Sequence, residues 1–130
     1  MSKNPSEVRL GRLELQIMNI VWKQGKSTVH DVKDAISKGR KPAYSTILTM
    51  MRKLENKGYL EHEVDDRTYV YQATISRQAA RRSMLGDLIE RAFEGSPSLL
   101  ISSLVEQNRI TESELREIQK LIGERKKKNE

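Results

Sequence analysis

Hydrophobic residues along the first sixty positions follow the repeat of amphipathic helices. Leu13, Ile17 and Val21 recur every four positions, so this stretch is predicted to form a first helix. A second, shorter helix is predicted to begin at Thr28, a residue type that caps helix N-termini, with Asp31 three positions on. Both helices are expected to bury one apolar face in a common core.

A third helix is predicted over residues 43–56, and its two faces differ in character. With about 100° between successive residues, the apolar side chains gather on one face, which is expected to lie in the core. The residues of this inner face are Tyr44, Ile47, Met50, Met51 and Leu54. The opposite face carries small hydroxyl residues and two cations, with Leu48 at its border: Ser45, Thr46, Thr49, Arg52 and Lys53.

After Gly58 the spacing of apolar residues changes from the helical repeat to alternation, which is typical of strands. Residues 59–64 alternate, and residues 69–73 are rich in side chains that favour strands, so an antiparallel hairpin is predicted. Residues 65–68 indicate the turn, which contains Arg67. A two-stranded hairpin is marginally stable alone, so this one is expected to pack on the helices.

Three further helices are predicted in the C-terminal part of the chain. Ser76, Ser96 and Thr111 are each suited to cap a helix start, and Pro97 suits the first helical position. The helix that follows Ser96 is short and mostly apolar, and three helices of this size bury only a modest core. We therefore expect two copies of the chain to associate through residues 76–130.

Three helices followed by a hairpin form the arrangement of a winged helix-turn-helix, so the fold is predicted to be mainly α. Residues 1–75 are expected to form a winged-helix DNA-binding domain, and residues 76–130 a three-helix dimerisation domain. Hydroxyl groups and cations on the third helix can reach phosphates and base edges. Arg67 in the turn can reach a phosphate or a narrow minor groove. The candidate DNA-binding residues are Ser45, Thr46, Thr49, Arg52, Lys53 and Arg67.

The chain of 130 residues is basic, with 24 Lys and Arg against 18 Asp and Glu and a net charge of +6. From Lys23 to Lys57 there are nine basic and three acidic residues, so this stretch holds a surplus equal to that of the whole chain. Such a balance indicates an acidic partner, with nucleic acid as the first candidate.

The inventory of reactive side chains predicts neither an enzyme nor a metal or cofactor site. No cysteine is present, which excludes disulfides, thiolate nucleophiles and cysteine zinc sites and fits a reducing cytoplasm. The two histidines, His30 and His62, stand in no catalytic motif and are expected on the surface or in packing. No apolar run is long enough for a membrane helix, so we expect a cytoplasmic protein without a membrane partner.

Five segments of the DNA-binding half carry a family pattern. They are residues 13–18 with Trp22, residues 28–32, residues 44–54, residues 57–60 and residues 67–71. These segments resemble the penicillinase-repressor and methicillin-resistance-repressor family, which also includes copper-responsive repressors. The resemblance covers about residues 10–122 and is specific in the DNA-binding half.

The resemblance implies a homodimeric transcriptional repressor that binds palindromic operators in double-stranded DNA. It places contacts from the third helix on Ser45, Thr46, Leu48, Thr49 and Lys53, with a wing contact near Arg67. Leu48 is a departure, because this position is often polar in the family. Its apolar side chain suggests a different base preference, such as contact with a thymine methyl group.

Two further departures concern how repression is relieved. The copper-responsive branch carries a C-terminal cysteine cluster, which this chain lacks. The antibiotic-responsive branch is inactivated when a membrane sensor-protease pathway leads to cutting near an Asn-Phe dipeptide. The comparable residues 104–109 are Leu-Val-Glu-Gln-Asn-Arg, without Phe, so release by cleavage near 105–109 is a hypothesis.

Two alternatives to a sequence-specific repressor stay open at this point. A winged-helix module can serve as a protein–protein adaptor without touching DNA, although an acidic third helix would suit that role better. The chain can also be a non-specific architectural DNA binder, which would hold random and palindromic duplexes with similar affinity.

Overall fold

The computed structural model describes residues 8–36, 39 and 41–129. By its internal contacts the chain divides into two compact units, one up to Gly86 and one from Asp87 onward. This division falls inside the fourth helix, whereas the functional boundary between residues 75 and 76 stays a prediction. The elements in chain order are α1 Arg12–Gln24, α2 Val29–Ala35, α3 Tyr44–Asn56, β1 Leu60–Asp65, β2 Thr68–Ala73, α4 Arg77–Ala92, α5 Pro97–Glu106 and α6 Glu112–Lys128.

The first two helices begin where local polar groups satisfy their free N–H groups, and the second follows Thr28 as predicted. The Gly11 N–H donates to Glu14 Oε1 at 2.8 Å at the start of α1. At the start of α2, Thr28 Oγ1 accepts from the Asp31 N–H at 3.1 Å, and Asp31 Oδ2 accepts from the Thr28 N–H at 2.9 Å. These capping interactions fix where each helix enters the core.

The core of the first unit is built from one face of each helix and from the hairpin. Its fully buried side chains include Ile17, Met18, Val21, Val32, Ile47, Met51, Leu54 and Tyr71. The predicted inner face of α3 is confirmed except at Tyr44, which is 39% exposed. Tyr44 is the first residue of α3, one turn before Ile47, and its ring lies against His30 at 4.6 Å instead of in the core.

The hairpin has the predicted antiparallel form, with β1 beginning one residue later than expected. Asp65 pairs with Thr68, so Asp66 and Arg67 form a two-residue turn, with φ angles of 48° and 70°. Positive φ angles at both central positions match the turn to the twist of the strands. Arg67 therefore lies at the very tip of the hairpin.

Ser27 adds a contact to the sheet that the sequence pattern did not predict. Its N–H donates to the Tyr71 carbonyl at 2.9 Å, and its carbonyl accepts from the Tyr71 N–H at 2.8 Å. β2 is therefore bonded on one edge to β1 and on the other to the connection between α1 and α2. This pairing fixes the hairpin to the helices.

The second unit holds the end of α4, α5 and α6, with helix starts where the sequence predicts them. Ser96 Oγ accepts from the Leu99 N–H at 3.1 Å, and Thr111 and Glu114 form a reciprocal capping pair at 3.0 Å. Neither α5 nor α6 contains a buried residue. Within the described ranges, no helix is long and apolar enough to cross a membrane.

Candidate nucleic-acid interface

The outward face of α3 presents the hydroxyl groups and cations that its periodicity predicts. Side chains on this face are exposed at Ser45, Thr46, Thr49, Arg52 and Lys53. The inward face of the same helix is anchored in the core by Ile47, Met51 and Leu54, none of which is exposed to solvent. The polar face is therefore held rigidly on a helix that is itself fixed by packing.

Leu48 lies between these two faces. Its side chain is half-buried and packs against the core, so only part of it is available to a ligand. The predicted contact between Leu48 and a thymine methyl group is compatible with this position and stays a prediction.

Arg67 lies apart from the α3 residues, at the exposed tip of the hairpin. The candidate interface thus has two parts, the outward face of α3 and the tip that carries Arg67. Asp65 and Asp66 are exposed beside the arginine, so the tip itself is not strongly basic.

A polar contact between Glu55 and His62 joins the helix and the hairpin that carry these two parts. His62 Nδ1 on β1 lies 2.7 Å from Glu55 Oε1 at the end of α3. The imidazole also stacks on Tyr69, with ring centroids 3.9 Å apart. His62 therefore serves in packing, as its lack of a catalytic motif indicated, and it ties the hairpin to α3.

Tyr71 packs beneath this contact and stays uncharged. Burial raises the pKa of its hydroxyl above the usual value of 10, and the nearby Glu55 carboxylate raises it further. The His62 ring therefore packs against an uncharged Tyr71 side chain.

The surplus of basic residues between Lys23 and Lys57 is partly neutralised. Lys57 pairs with the buried Glu14 at 2.8 Å, and Lys26 pairs with Glu63 at 3.0 Å. Lys38 and Arg40, which belong to the same surplus, lie outside the described residues.

Arg52 and Lys53 are the cations of the outward face of α3. In the described part of the chain, neither of them forms an ion pair with an acidic residue. Both cations are therefore free to meet an anionic partner.

His30 and Tyr44 are two further candidates for the interface, which the sequence pattern did not indicate. Their rings meet at 4.6 Å, and both side chains are exposed at the starts of α2 and α3. The imidazole and the phenol can each donate a hydrogen bond to a phosphate. The apolar repeat predicted that the Tyr44 ring lies in the core, so it did not indicate a contact between Tyr44 and a phosphate.

Comparison with known proteins gives a consistent family assignment. The family profile for "Penicillinase repressor" matches residues 10–124. The chain is 25% identical to the penicillinase repressor of Bacillus licheniformis over 113 residues, which cover 87% of this chain and 88% of the relative. It is 30% identical to the transcriptional regulator BlaI of Mycobacterium tuberculosis over 101 residues, 76% of this chain and 73% of that protein.

A solved structure is similar as well. The DNA-binding domain of the repressor BlaI superposes with a TM-score of 0.50 and 30% sequence identity. The match covers 61% of this chain and 93% of that domain. The predicted winged-helix fold is confirmed, and the chain belongs to the penicillinase repressor family.

Proposed function

We propose that this chain is a sequence-specific DNA-binding repressor that acts as a homodimer on palindromic operators. The observation that carries the proposal is the two-part surface in which the Glu55–His62 contact joins α3, with its exposed outward face, to a hairpin with Arg67 at its tip. The family assignment supports the same function, since relatives include the penicillinase repressor and BlaI. The relatives are bacterial proteins, and we place the chain in the cytoplasm.

Each exposed residue of α3 has a distinct expected contact. Thr46 and Thr49 present hydroxyl groups to base edges, and the methyl group of threonine suits a thymine methyl. Arg52 and Lys53 are cations suited to phosphates, which position the helix in the groove. Ser45 lies on the same face, and Leu48 offers the exposed part of its side chain to thymine. Arg67 reaches the flanking phosphate or minor groove.

Dimerisation is proposed from the apolar residues that the second unit leaves exposed. Leu99, Val105, Leu121 and Ile122 are between 39% and 60% exposed, on helices without a buried residue. A second copy would cover such side chains. A two-fold dimer also matches the symmetry of a palindrome, in which each copy contacts one half-site.

Release through a sensor-protease pathway is a separate part of the proposal. Residues 105–109 are all exposed, at the end of α5 and in the turn before α6. A protease needs such accessible backbone. If repression is lost on induction while the chain stays intact on blots, cleavage is not the release mechanism.

Selection of bound sequences from a pool of random duplexes tests the main proposal. A palindromic consensus is the expected result, and it reports sequence specificity and two-fold symmetry together. Retention of all duplexes with similar affinity indicates the architectural binder, and no retention indicates the protein–protein adaptor. The variant Lys53→Ala, which removes one cation from the outward face of α3 without touching the core, should retain the pool more weakly, and Lys120→Ala on α6 is the matched control.

A further inference from the structure

A cavity of about 400 Å³ lies beside α1, within the unit up to Gly86. Gln16, Ile20 and Lys23 of α1 line one side of it, where they lie on successive turns of the helix. The other lining residues are Asn19 and Gln24 of the same helix, Ala35 at the end of α2 and Arg77 at the start of α4. We call this the Arg77 cavity. Its volume is in the range of sites for small molecules.

The charged residues in the described lining of the Arg77 cavity are both basic. Its lining includes the two cations Lys23 and Arg77, and none of the described residues that line it is acidic. Lys23 is exposed and takes part in no ion pair within the described part of the chain. Two cations at one concave site favour an anion over a neutral or cationic ligand.

Arg77 is held in place before any ligand arrives. Its Nη2 donates to the Asn19 carbonyl at 3.2 Å, and its guanidinium lies 5.8 Å from the ring centroid of Trp22. Trp22 is itself fixed, because its Nε1–H donates to the Ile75 carbonyl at 2.8 Å. The planar guanidinium has further N–H donors and matches carboxylate or phosphate groups.

The remaining wall combines the polar side chains of Gln16, Asn19 and Gln24 with two apolar ones. The apolar residues are Ile20 and Ala35, both half-buried, so part of the lining gains from contact with hydrocarbon. An inorganic anion would leave these side chains in contact with water, whereas an organic anion would cover them.

We propose that the Arg77 cavity binds a small organic anion, in which a carboxylate or phosphate group is attached to an apolar ring or chain. The anionic group lies against Arg77 and Lys23, and the apolar part lies against Ile20 and Ala35. This site is separate from the outward face of α3, and the proposal does not depend on DNA binding.

Trp22 provides the measurement, because it is the single tryptophan of the chain. Its indole N–H gives one resonance in a ¹⁵N–¹H correlation spectrum, and the ring contacts Arg77 directly. We expect benzoate or phenyl phosphate to shift this resonance in a saturable manner. Benzamide, which has the ring without the charge, and inorganic phosphate, which has the charge without the ring, should bind at least tenfold more weakly.

Variants of the cavity wall sharpen the test. Gln16→Glu adds a negative charge to the wall and Lys23→Gln removes a positive one, and each is expected to raise the Kd at least tenfold. Arg81→Gln is the matched control, because Arg81 is an exposed cation one turn beyond Arg77 and does not line the cavity. Its Kd should equal that of the unmodified chain.

Three results would overturn the proposal. They are the absence of a saturable shift with both organic anions, equal binding of benzamide or inorganic phosphate, and an unchanged Kd in Gln16→Glu. Circular dichroism of each variant checks that the fold is intact, so a loss of binding reports on the site.

Discussion

Lys57 Nζ lies 2.8 Å from Glu14 Oε2, and this ion pair joins the end of α3 to the first turn of α1. Glu14 is 5% exposed, so its charge is shielded from water. The ammonium group of Lys57 also donates to the Arg9 carbonyl at 3.2 Å. The helix that carries the candidate DNA-binding face is thus fixed at its C-terminal end by an ion pair between a half-buried lysine and a buried carboxylate.

The protonation of Glu14 links this pair to stability. Burial acts to raise the pKa of the carboxyl group, but hydrogen bonds from Lys57 and Gly11 and the charges of Lys57 and Lys53 outweigh it. The pKa is therefore lower in the folded chain than the ordinary value of 4.5. A carboxylate of this kind stabilises the fold above its unfolded pKa, and the contribution disappears as the pH falls through the lowered pKa.

We expect Glu14→Gln to lower the free energy of unfolding at neutral pH by about 1–3 kcal/mol, because the half-buried ammonium group of Lys57 loses its charged partner. The deficit should shrink as the pH falls below 4.5, because the carboxyl group of the unfolded chain is protonated first, and it should vanish below the lowered pKa of the folded chain. Urea unfolding at several pH values measures both effects. Glu63→Gln is the control, since the Lys26–Glu63 pair has side chains 61% and 60% exposed. Equal losses in both variants would contradict a special role of the Glu14–Lys57 pair.

Substitutions on the outward face of α3 separate base contacts from phosphate contacts. Thr46→Ala and Thr49→Ala should each weaken binding to the selected operator by about 1–3 kcal/mol and relax specificity at single positions. Lys53→Ala should weaken all duplexes alike and lower the dependence of affinity on salt, because fewer counterions are released. Ser113→Ala and Lys120→Ala, both exposed on α6, are the controls. Affinity that does not change with salt would count against phosphate contacts altogether.

Loss of the contact between Glu55 and His62 is expected to change DNA binding in a different way from loss of a phosphate contact. Glu55→Gln removes the charge that meets His62 Nδ1 at 2.7 Å but leaves Arg67 and the outward face of α3 unchanged. Operator affinity should fall several-fold, while its salt dependence stays that of the unmodified chain, since no phosphate contact is lost. Glu61→Gln, at an exposed position of β1, is the control. A changed salt dependence in Glu55→Gln would show that Glu55 acts on DNA directly.

Self-association is tested at the exposed apolar residues of α6. Leu121→Glu and Ile122→Glu place a charge where the side chains are 60% and 56% exposed, so the fold of one chain should tolerate both. Burying that charge in a dimer is costly, and we expect sedimentation to show monomers. Gln119→Glu adds the same charge at another exposed position of α6 and is the control. Dimers in both variants would place the interface elsewhere.

Local patterns were sufficient to predict most of the fold, because capping and helical periodicity act over a few residues. Thr28, Ser96 and Thr111 cap helices as expected, and the outward face of α3 follows from its repeat. Contacts between distant residues were not predictable in this way. The Ser27–Tyr71 pairing and the Glu14–Lys57 ion pair join residues more than forty positions apart, and nothing in a local pattern specifies such a partner. Tyr44 was misplaced because periodicity cannot show where the core ends.

Gly86 stands in the interior of α4, where its residue type is unfavourable for a helix and where the contacts divide the chain. A methyl group built at this position would meet no described atom within 4 Å, so packing does not require glycine. Gly86→Ala should therefore raise the free energy of unfolding by about 0.5–1 kcal/mol, because alanine restricts the unfolded chain and favours the helix. Gly25→Ala, at a φ angle of +81°, is expected to destabilise instead, since an L side chain is strained there. Thermal unfolding of both variants measures whether each substitution raises or lowers the free energy of unfolding. A destabilised Gly86→Ala chain would show that glycine is needed at this point of α4.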